Sequence, residues 1–94
     1  MRLTDSEANA IREEVSRSDP EAELYLFGSR TDDTARGGDI DLLVVSDKLT
    51  FRNILSLRVR ILDRIGEQKL DLETRRKNEM DTFAMMAKET GIKL

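Results

Sequence analysis

The chain has 94 residues, with neither cysteine nor histidine, and its 19 acidic and 16 basic residues give a formal charge of -3. This length supports one modest core, so we predict a single domain over residues 1–94 and expect any second, substrate-binding domain to come from elsewhere. The missing residue types exclude disulfides, thiolate or Ser-His-Asp catalysis, and Cys or His metal ligation. Any bound metal is therefore a hard cation with oxygen ligands.

The charge and hydropathy of the sequence indicate which classes of partner the protein does not bind. Nearly balanced charges predict no general attraction to nucleic acid or to an anionic membrane. The N-terminal residues contain no apolar run, and no later segment reaches membrane-spanning length, so we predict a cytoplasmic protein without a membrane partner. The basic run over residues 75–77 is predicted to be a solvated face rather than a nucleic-acid interface, because the aromatic residues available for base stacking are all expected to be buried: Tyr25, Phe27, Phe51 and Phe83.

The first half of the chain predicts a helix, a strand, a loop and a second strand. Thr4 and Glu7 have capping-box spacing, and apolar residues then recur on one face to predict a helix over about 5–17. Residues 22–27 predict a strand that ends before a polar loop. The stretch 39–45 has a continuous apolar second half, which predicts a central strand covered on both faces.

The second half predicts two helices around a third strand. Thr50 is placed to cap a helix that ends at Ile65, before Gly66, with Arg58 inside its apolar stripe. We expect Arg58 to need a carboxylate, a phosphate or a partner protein, and we favour a structural or interface role. The predicted buried stripe comprises Phe51, Ile54, Leu55, Ile61, Leu62 and Ile65.

A third strand and a last helix complete the predicted order. Residues 70–73 alternate as in a strand, and 78–88 predict a helix whose inward residues are Met80, Phe83, Ala84 and Ala87. The order helix, strand, loop, strand, helix, strand, helix predicts an α+β fold, an α/β layer sandwich with a small mixed sheet of three or more strands flanked by helices.

Two aspartates open the central strand. Asp39 and Asp41 are two residues apart, so on a strand both carboxylates project from the same face. Such close like charges are costly unless a cation neutralises them, and Mg²⁺ favours carboxylates together with water and substrate phosphate oxygens. Taken alone, this pattern is more often a solvated strand end.

The Gly28-Ser29 step directly follows the preceding strand. A glycine and a small hydroxyl residue there let backbone N–H groups approach phosphate oxygens, although the same pair is also common in ordinary turns. The combination is more informative than either part. A strand-loop-strand unit places this phosphate cradle beside the aspartate pair, as phosphoryl transfer requires.

These residues resemble the signature of a known superfamily. Gly28-Ser29, followed by Gly37-Gly38-Asp39-Ile40-Asp41-Leu42-Leu43-Val44-Val45, is similar to the motif of the polymerase-beta-like nucleotidyltransferases, especially their minimal bacterial and archaeal members. The resemblance covers nearly the whole chain. It implies the nucleotidyltransferase fold and metal-dependent transfer of a nucleoside monophosphate, AMP from ATP foremost, to a hydroxyl group with release of pyrophosphate.

The resemblance also implies roles for particular residues. Gly28 and Ser29 would contact the β- and γ-phosphates, and Asp39 and Asp41 would ligate two Mg²⁺ ions. A third carboxylate, Asp71 on the predicted third strand, would complete the metal cluster and orient or deprotonate the attacking hydroxyl. Glu73 on the same strand face is the alternative to Asp71. Arg30 is either a phosphate contact or a solvated loop cation.

Minimal domains of this length resemble the antitoxin halves of two-component toxin-antitoxin systems. The partner implied by that resemblance is a helical protein of the HEPN class, which some such domains adenylylate on tyrosine. Two alternatives remain open: a partner-binding module with little or no catalysis, and a subunit of an aminoglycoside-type small-molecule nucleotidyltransferase. A reading in which all the acidic residues are merely surface groups predicts no magnesium-dependent nucleotide binding. The sequence leaves oligomerisation open.

Overall fold

The computed structural model describes residues 3–28 and 39–94, which form a mixed sheet with helices on both faces. The strands lie in the spatial order β3-β2-β1-β4, with β2 and β3 parallel and the other neighbours antiparallel. The elements in chain order are α1 (Asp5–Ser18), β1 (Glu23–Phe27), β2 (Ile40–Val45), α2 (Phe51–Ile65), β3 (Leu70–Arg75), α3 (Thr82–Thr90) and β4 (Ile92–Lys93). The predicted fold class is confirmed, and β4 is an additional short strand at one edge.

The central strand β2 is buried on both faces, as its sequence predicted. One face of the sheet packs against α1 and α2, and the other packs against α3, because alternate residues of each strand point to opposite sides. The first core comprises Ile11, Val15, Leu24, Leu26, Ile40, Leu42, Val44, Leu57, Ile61 and Leu70, with Leu3 at its margin. The second comprises Tyr25, Leu43, Val45, Ala84 and Ala87. No helix in the described ranges is long and apolar enough to cross a membrane.

Hydrogen bonds at the helix starts set where the helices begin. Thr4 Oγ1 accepts a hydrogen bond from the Glu7 backbone N–H at 3.0 Å, and the Thr4 N–H donates to the Glu7 carboxylate at 3.0 Å. The predicted capping box is therefore present. The start predicted for the last helix was wrong. Asp81 accepts from the Ala84 N–H at 2.9 Å and caps α3, so the helix begins at Thr82 and the residues from 78 to 81 precede it.

The predicted buried stripe of α2 was wrong in part, because the helix is rotated toward Leu57 and Ile61. These two residues are fully buried, whereas Phe51 is 76% exposed and Leu55 is 48% exposed. The contact with α1 accounts for this rotation. Buried Glu14 on α1 accepts hydrogen bonds from two arginines of α2, Arg60 at 3.0 Å and Arg64 at 3.1 Å. That side of α2 therefore faces α1, and Phe51 and Leu55 turn outward.

Arg58 lies on the inner side of α2 and finds its partner in the backbone of β3. Its Nη1 donates to the carbonyl oxygen of Leu70. The neighbouring carbonyl of Lys69 accepts from the Ile40 N–H on β2 at 2.9 Å, so the Leu70 carbonyl points the other way, away from β2 and toward the outer side of β3. Arg58 thus covers a polar group on an edge strand, which supports the predicted structural role.

We expect the substitution Arg58→Met to lower the free energy of unfolding by about 1–3 kcal/mol, because the Leu70 carbonyl then loses its charged donor. Arg52→Met on the exposed side of the same helix is the matched control and should stay within about 0.5 kcal/mol of the parent. Urea unfolding followed by circular dichroism measures both. Equal effects of the two substitutions would contradict the structural role of Arg58.

Candidate active site

Three strand ends meet at one end of the sheet. The antiparallel pairing of β1 with β2 sets Phe27 opposite Asp41, and the parallel pairing of β2 with β3 sets Asp41 opposite Asp71. The carboxyl end of β1, where Gly28 follows, therefore lies beside the amino ends of β2 and β3. Asp39 directly precedes β2 at the same end.

The three predicted metal-binding aspartates come together at this end. One carboxylate oxygen from each of Asp39, Asp41 and Asp71 lies within 4.8 Å of the others. Asp41 and Asp71 are register partners on neighbouring strands, so their side chains share a face. Asp39 and Asp41 are half-buried and Asp71 is exposed. Glu73, the alternative to Asp71, instead pairs with Arg75 at 3.2 Å.

The cluster is electrostatically strained in the absence of a cation. Burial raises the pKa of Asp41 from 3.8 to about 6, with further contributions from a hydrogen bond to Asp71 and from the negative charges of Asp71 and Asp39. The ammonium of Lys69 lowers it in part. The ionised form of Asp41 is thus less favourable than that of an ordinary aspartate, and a bound cation would relieve the repulsion.

Gly28 is placed against this cluster in a way that excludes a side chain. Its φ is +78°, in the left-handed region that favours glycine, and an added Cβ would lie 2.2 Å from Asp41 Oδ2. The close approach brings the backbone of Gly28 next to the carboxylates of the aspartate cluster. Ser29 and Arg30, the other predicted phosphate-binding residues, lie outside the described residues, so their roles stay predictions.

The donor set of the cluster fits a divalent metal. All three groups offer carboxylate oxygens, which hard cations such as Mg²⁺ prefer. With metal-oxygen distances of about 2.0–2.1 Å, two oxygens on one Mg²⁺ are at most about 4.2 Å apart. The separations in the cluster, within 4.8 Å, are close to that limit, so modest side-chain rotations would let the aspartates share one or more ions.

Lys69 also belongs to this site, although the sequence analysis did not identify it. Its Nζ lies 3.3 Å from Asp39 Oδ2, with the lysine side chain 73% exposed. Its position two residues before Asp71, directly before a strand that bears a predicted ligand, was the available signal. Without the register of β3 against β2, however, nothing in the sequence brings this lysine to Asp39.

Comparisons with known proteins agree with this geometry. A family model described as a nucleotidyltransferase domain matches residues 8–94, a span that includes all three aspartates. The chain belongs to the nucleotidyltransferase domain family. Its general activity, nucleotidyl transfer, follows from this membership.

A solved structure supports the same assignment. This nucleotidyltransferase domain is similar to a crystal structure described as a "putative nucleotidyltransferase", with 25% sequence identity and a TM-score of 0.62. The match covers 93% of this chain and 96% of the other. A search of the curated proteins found no match. The resemblance inferred from the motif is therefore confirmed at the level of family and fold.

Proposed function

We propose that this nucleotidyltransferase domain transfers a nucleoside monophosphate, AMP from ATP foremost, to a hydroxyl group in a Mg²⁺-dependent reaction. The observation that carries the proposal is the cluster of Asp39, Asp41 and Asp71, whose carboxylate oxygens lie within 4.8 Å of one another. Three such groups on two neighbouring strands are costly for the metal-free protein, and cation binding is the function that would offset this cost.

The proposed roles of the three aspartates follow from their positions. Half-buried Asp39 and Asp41 would hold Mg²⁺, and exposed Asp71 would complete the cluster on the side from which an acceptor could approach. Bound Mg²⁺ ions would neutralise the triphosphate and stabilise charge on the attacking and leaving oxygens. In the reaction, the acceptor oxygen bonds to the α-phosphorus, the bond to the bridging oxygen breaks, and pyrophosphate leaves. The hydroxyl proton passes to the Asp71 carboxylate.

The backbone after β1 would supply the phosphate-binding part of the site. Gly28 lies against Asp41, close enough that no side chain fits between them. A triphosphate bound through ions on Asp39 and Asp41 would therefore lie near the segment that begins at Gly28. This supports the prediction that Gly28 and Ser29 contact the β- and γ-phosphates, with Arg30 as a further phosphate contact.

We further propose a helical HEPN-type protein as partner and acceptor, in a pair of the toxin-antitoxin kind. A row of exposed apolar residues along the outer side of α2 supports a protein partner. Phe51 is 76%, Leu55 48% and Val59 66% exposed, and the three follow one another at intervals of four residues, on adjacent turns of the helix. A tyrosine hydroxyl of such a partner would be the acceptor.

The same apolar row favours a second candidate function. A module that only occludes its partner would need the outer side of α2 but not the carboxylate cluster. The two candidates make different predictions for Asp39→Ala in cells. Loss of partner neutralisation would favour transfer, whereas full neutralisation by the variant would favour occlusion.

The direct test of transfer uses α-³²P-labelled ATP, Mg²⁺ and an extract of the host cell. We expect the wild-type protein to label a discrete species and the Asp39→Asn/Asp41→Asn variant to label none, because the metal ligands are lost. Asp63→Asn/Glu67→Gln changes the net charge equally at two exposed positions and should retain labelling. If no species were labelled by ATP, and none by any other α-labelled nucleoside triphosphate, the result would contradict transfer and favour the occluding module.

A further inference from the structure

We propose that Lys69 is the built-in counter-charge of the carboxylate cluster. Before a metal binds, the Lys69 ammonium neutralises part of the charge of Asp39. It then competes with the metal for Asp39. Once the nucleotide is bound, it pairs with the phosphates. The inference rests on the proposed function, since it assumes that the aspartates bind a divalent cation. It adds a residue that sets the affinity for both metal and nucleotide.

The position of Lys69 is fixed by the backbone, while its ammonium is free to move. The Lys69 carbonyl accepts from the Ile40 N–H at 2.9 Å, which ties the start of β3 to the start of β2. From there the side chain reaches Asp39 Oδ2, with Nζ at 3.3 Å and 73% of the side chain exposed. A lysine carries its charge on a flexible four-carbon chain. Lys69 can therefore leave Asp39 without any change in the sheet.

Lys69 lies beside a group of three carboxylates whose negative charge exceeds its own positive charge. Within residues 3–28 and 39–94, it is the one cation with a nitrogen within 4.0 Å of a carboxylate oxygen of Asp39, Asp41 or Asp71. Among the described residues, one positive charge thus compensates three carboxylates only in part. A divalent ion would compensate them better, but it would have to share Asp39 with the ammonium or displace it. Lys69 therefore lowers the affinity for metal alone.

Lys88 forms an ion pair of the same length away from the aspartates, so it provides a control for Lys69. Lys88 Nζ lies 3.3 Å from Glu23 Oε1, with the lysine side chain 48% exposed. Glu23 is paired with Val45, at the end of β2 opposite to Asp39. Removing Lys88 thus removes an ion pair of the same length, together with its contact over the Tyr25 ring, but leaves the charge around the three aspartates unchanged.

The proposal predicts two effects of opposite sign for Lys69→Gln. Affinity for Mn²⁺ alone should rise about three- to tenfold, because a positive charge next to the cation is removed. Affinity for a non-reactive ATP analogue, measured with Mn²⁺ in excess, should fall about tenfold, because a phosphate partner is lost. Lys69→Arg keeps the charge and should lie near wild type in both. A solvated lysine without a role would change neither affinity.

Isothermal titration calorimetry with Mn²⁺ alone, and then with α,β-methylene-ATP, measures both affinities. The set comprises wild type, Lys69→Gln, Lys69→Arg, the control Lys88→Gln, and Asp39→Asn/Asp41→Asn. Thermal melting checks that each variant is folded. If wild type binds Mn²⁺ through the aspartates but Lys69→Gln binds it with equal or lower affinity, the role of Lys69 is overturned and the proposed function stands. If wild type binds neither Mn²⁺ alone nor the ATP analogue in the presence of Mn²⁺, both are overturned.

Discussion

Replacing Asp41 with asparagine is expected to stabilise the metal-free protein at pH 8 while abolishing its response to Mg²⁺. Asparagine has nearly the shape of aspartate, but it removes the negative charge that Asp71 and Asp39 repel. The same change removes a predicted metal ligand, so nucleotidyl transfer should fall by at least about a hundredfold, as after loss of a major transition-state contact. Gain of stability together with loss of activity would mark Asp41 as a residue retained for function.

The pH dependence of the free energy of unfolding explains why Asp41→Asn is expected to stabilise the protein at pH 8. The pKa of Asp41 is about 6 in the folded protein, above its ordinary value of 3.8, so the folded state binds the proton more tightly. The stability that this proton contributes is present at low pH and is lost as the pH rises from about 4 to about 6. Because Asp41 is only half-buried and solvent screens part of the repulsion, we discount the loss to about 1 kcal/mol. Asp41→Asn should remove this component of the pH dependence.

Urea unfolding at pH 5 and pH 8, with EDTA and then with excess Mg²⁺, tests the prediction. At pH 8 in EDTA the variant should be about 1 kcal/mol more stable than wild type, and Mg²⁺ should stabilise only wild type. Asp63→Asn, at an exposed position on α2, is the control and should respond to Mg²⁺ as wild type does. A variant less stable than wild type at pH 8 in EDTA would contradict the electrostatic account of the cluster.

Replacing Gly28 with alanine is expected to disrupt the site from its backbone side. The new Cβ would lie 2.2 Å from Asp41 Oδ2, and φ at this position is +78°, so the backbone, the carboxylate or both must move. The left-handed conformation alone costs about 1–2 kcal/mol for alanine. We expect this loss of stability and, in addition, a loss of Mg²⁺ binding of at least about tenfold, because Asp41 is displaced from Asp39 and Asp71.

Gly66 offers a matched control for this experiment. Its φ is +88°, but an added Cβ would have nothing within 4 Å. Gly66→Ala should therefore show the backbone cost in urea unfolding while calorimetry finds normal Mg²⁺ affinity. If Gly28→Ala also bound Mg²⁺ with wild-type affinity, the contact between Gly28 and Asp41 would have no part in forming the metal site.

Features that depend on nearby residues were predictable from the sequence. The capping box at Thr4, the helix that begins after Thr50 and the doubly buried strand before residue 46 all follow from patterns a few residues long. The same holds for Asp39 and Asp41 on one face of the chain. The motif that joins them to Gly28 also identified the family, because its parts lie close together in the sequence. The single-domain assignment over residues 1–94 stays a prediction.

Features that depend on tertiary contacts were not predictable in the same way. The rotation of α2 is associated with the pairing of Arg60 and Arg64 with Glu14, about fifty residues earlier, so the apolar pattern alone placed Phe51 inward. The strand β4 has only two residues and exists through its pairing with β1. Proximity of Lys69 to Asp39 likewise requires the alignment of two strands that the sequence separates by a helix.

Asp41 and Asp71 are paired in register, so correct packing of the core also determines whether their carboxylates come together. Leu70 and Leu72, on either side of Asp71, point to the opposite face of β3 and pack with the core beneath α1 and α2. A slip of one residue between β2 and β3 would bring a leucine among the carboxylates and push Asp71 into hydrocarbon. Molecules with a misaligned carboxylate cluster are therefore also poorly folded, so proteolysis of misfolded chains would remove them as well.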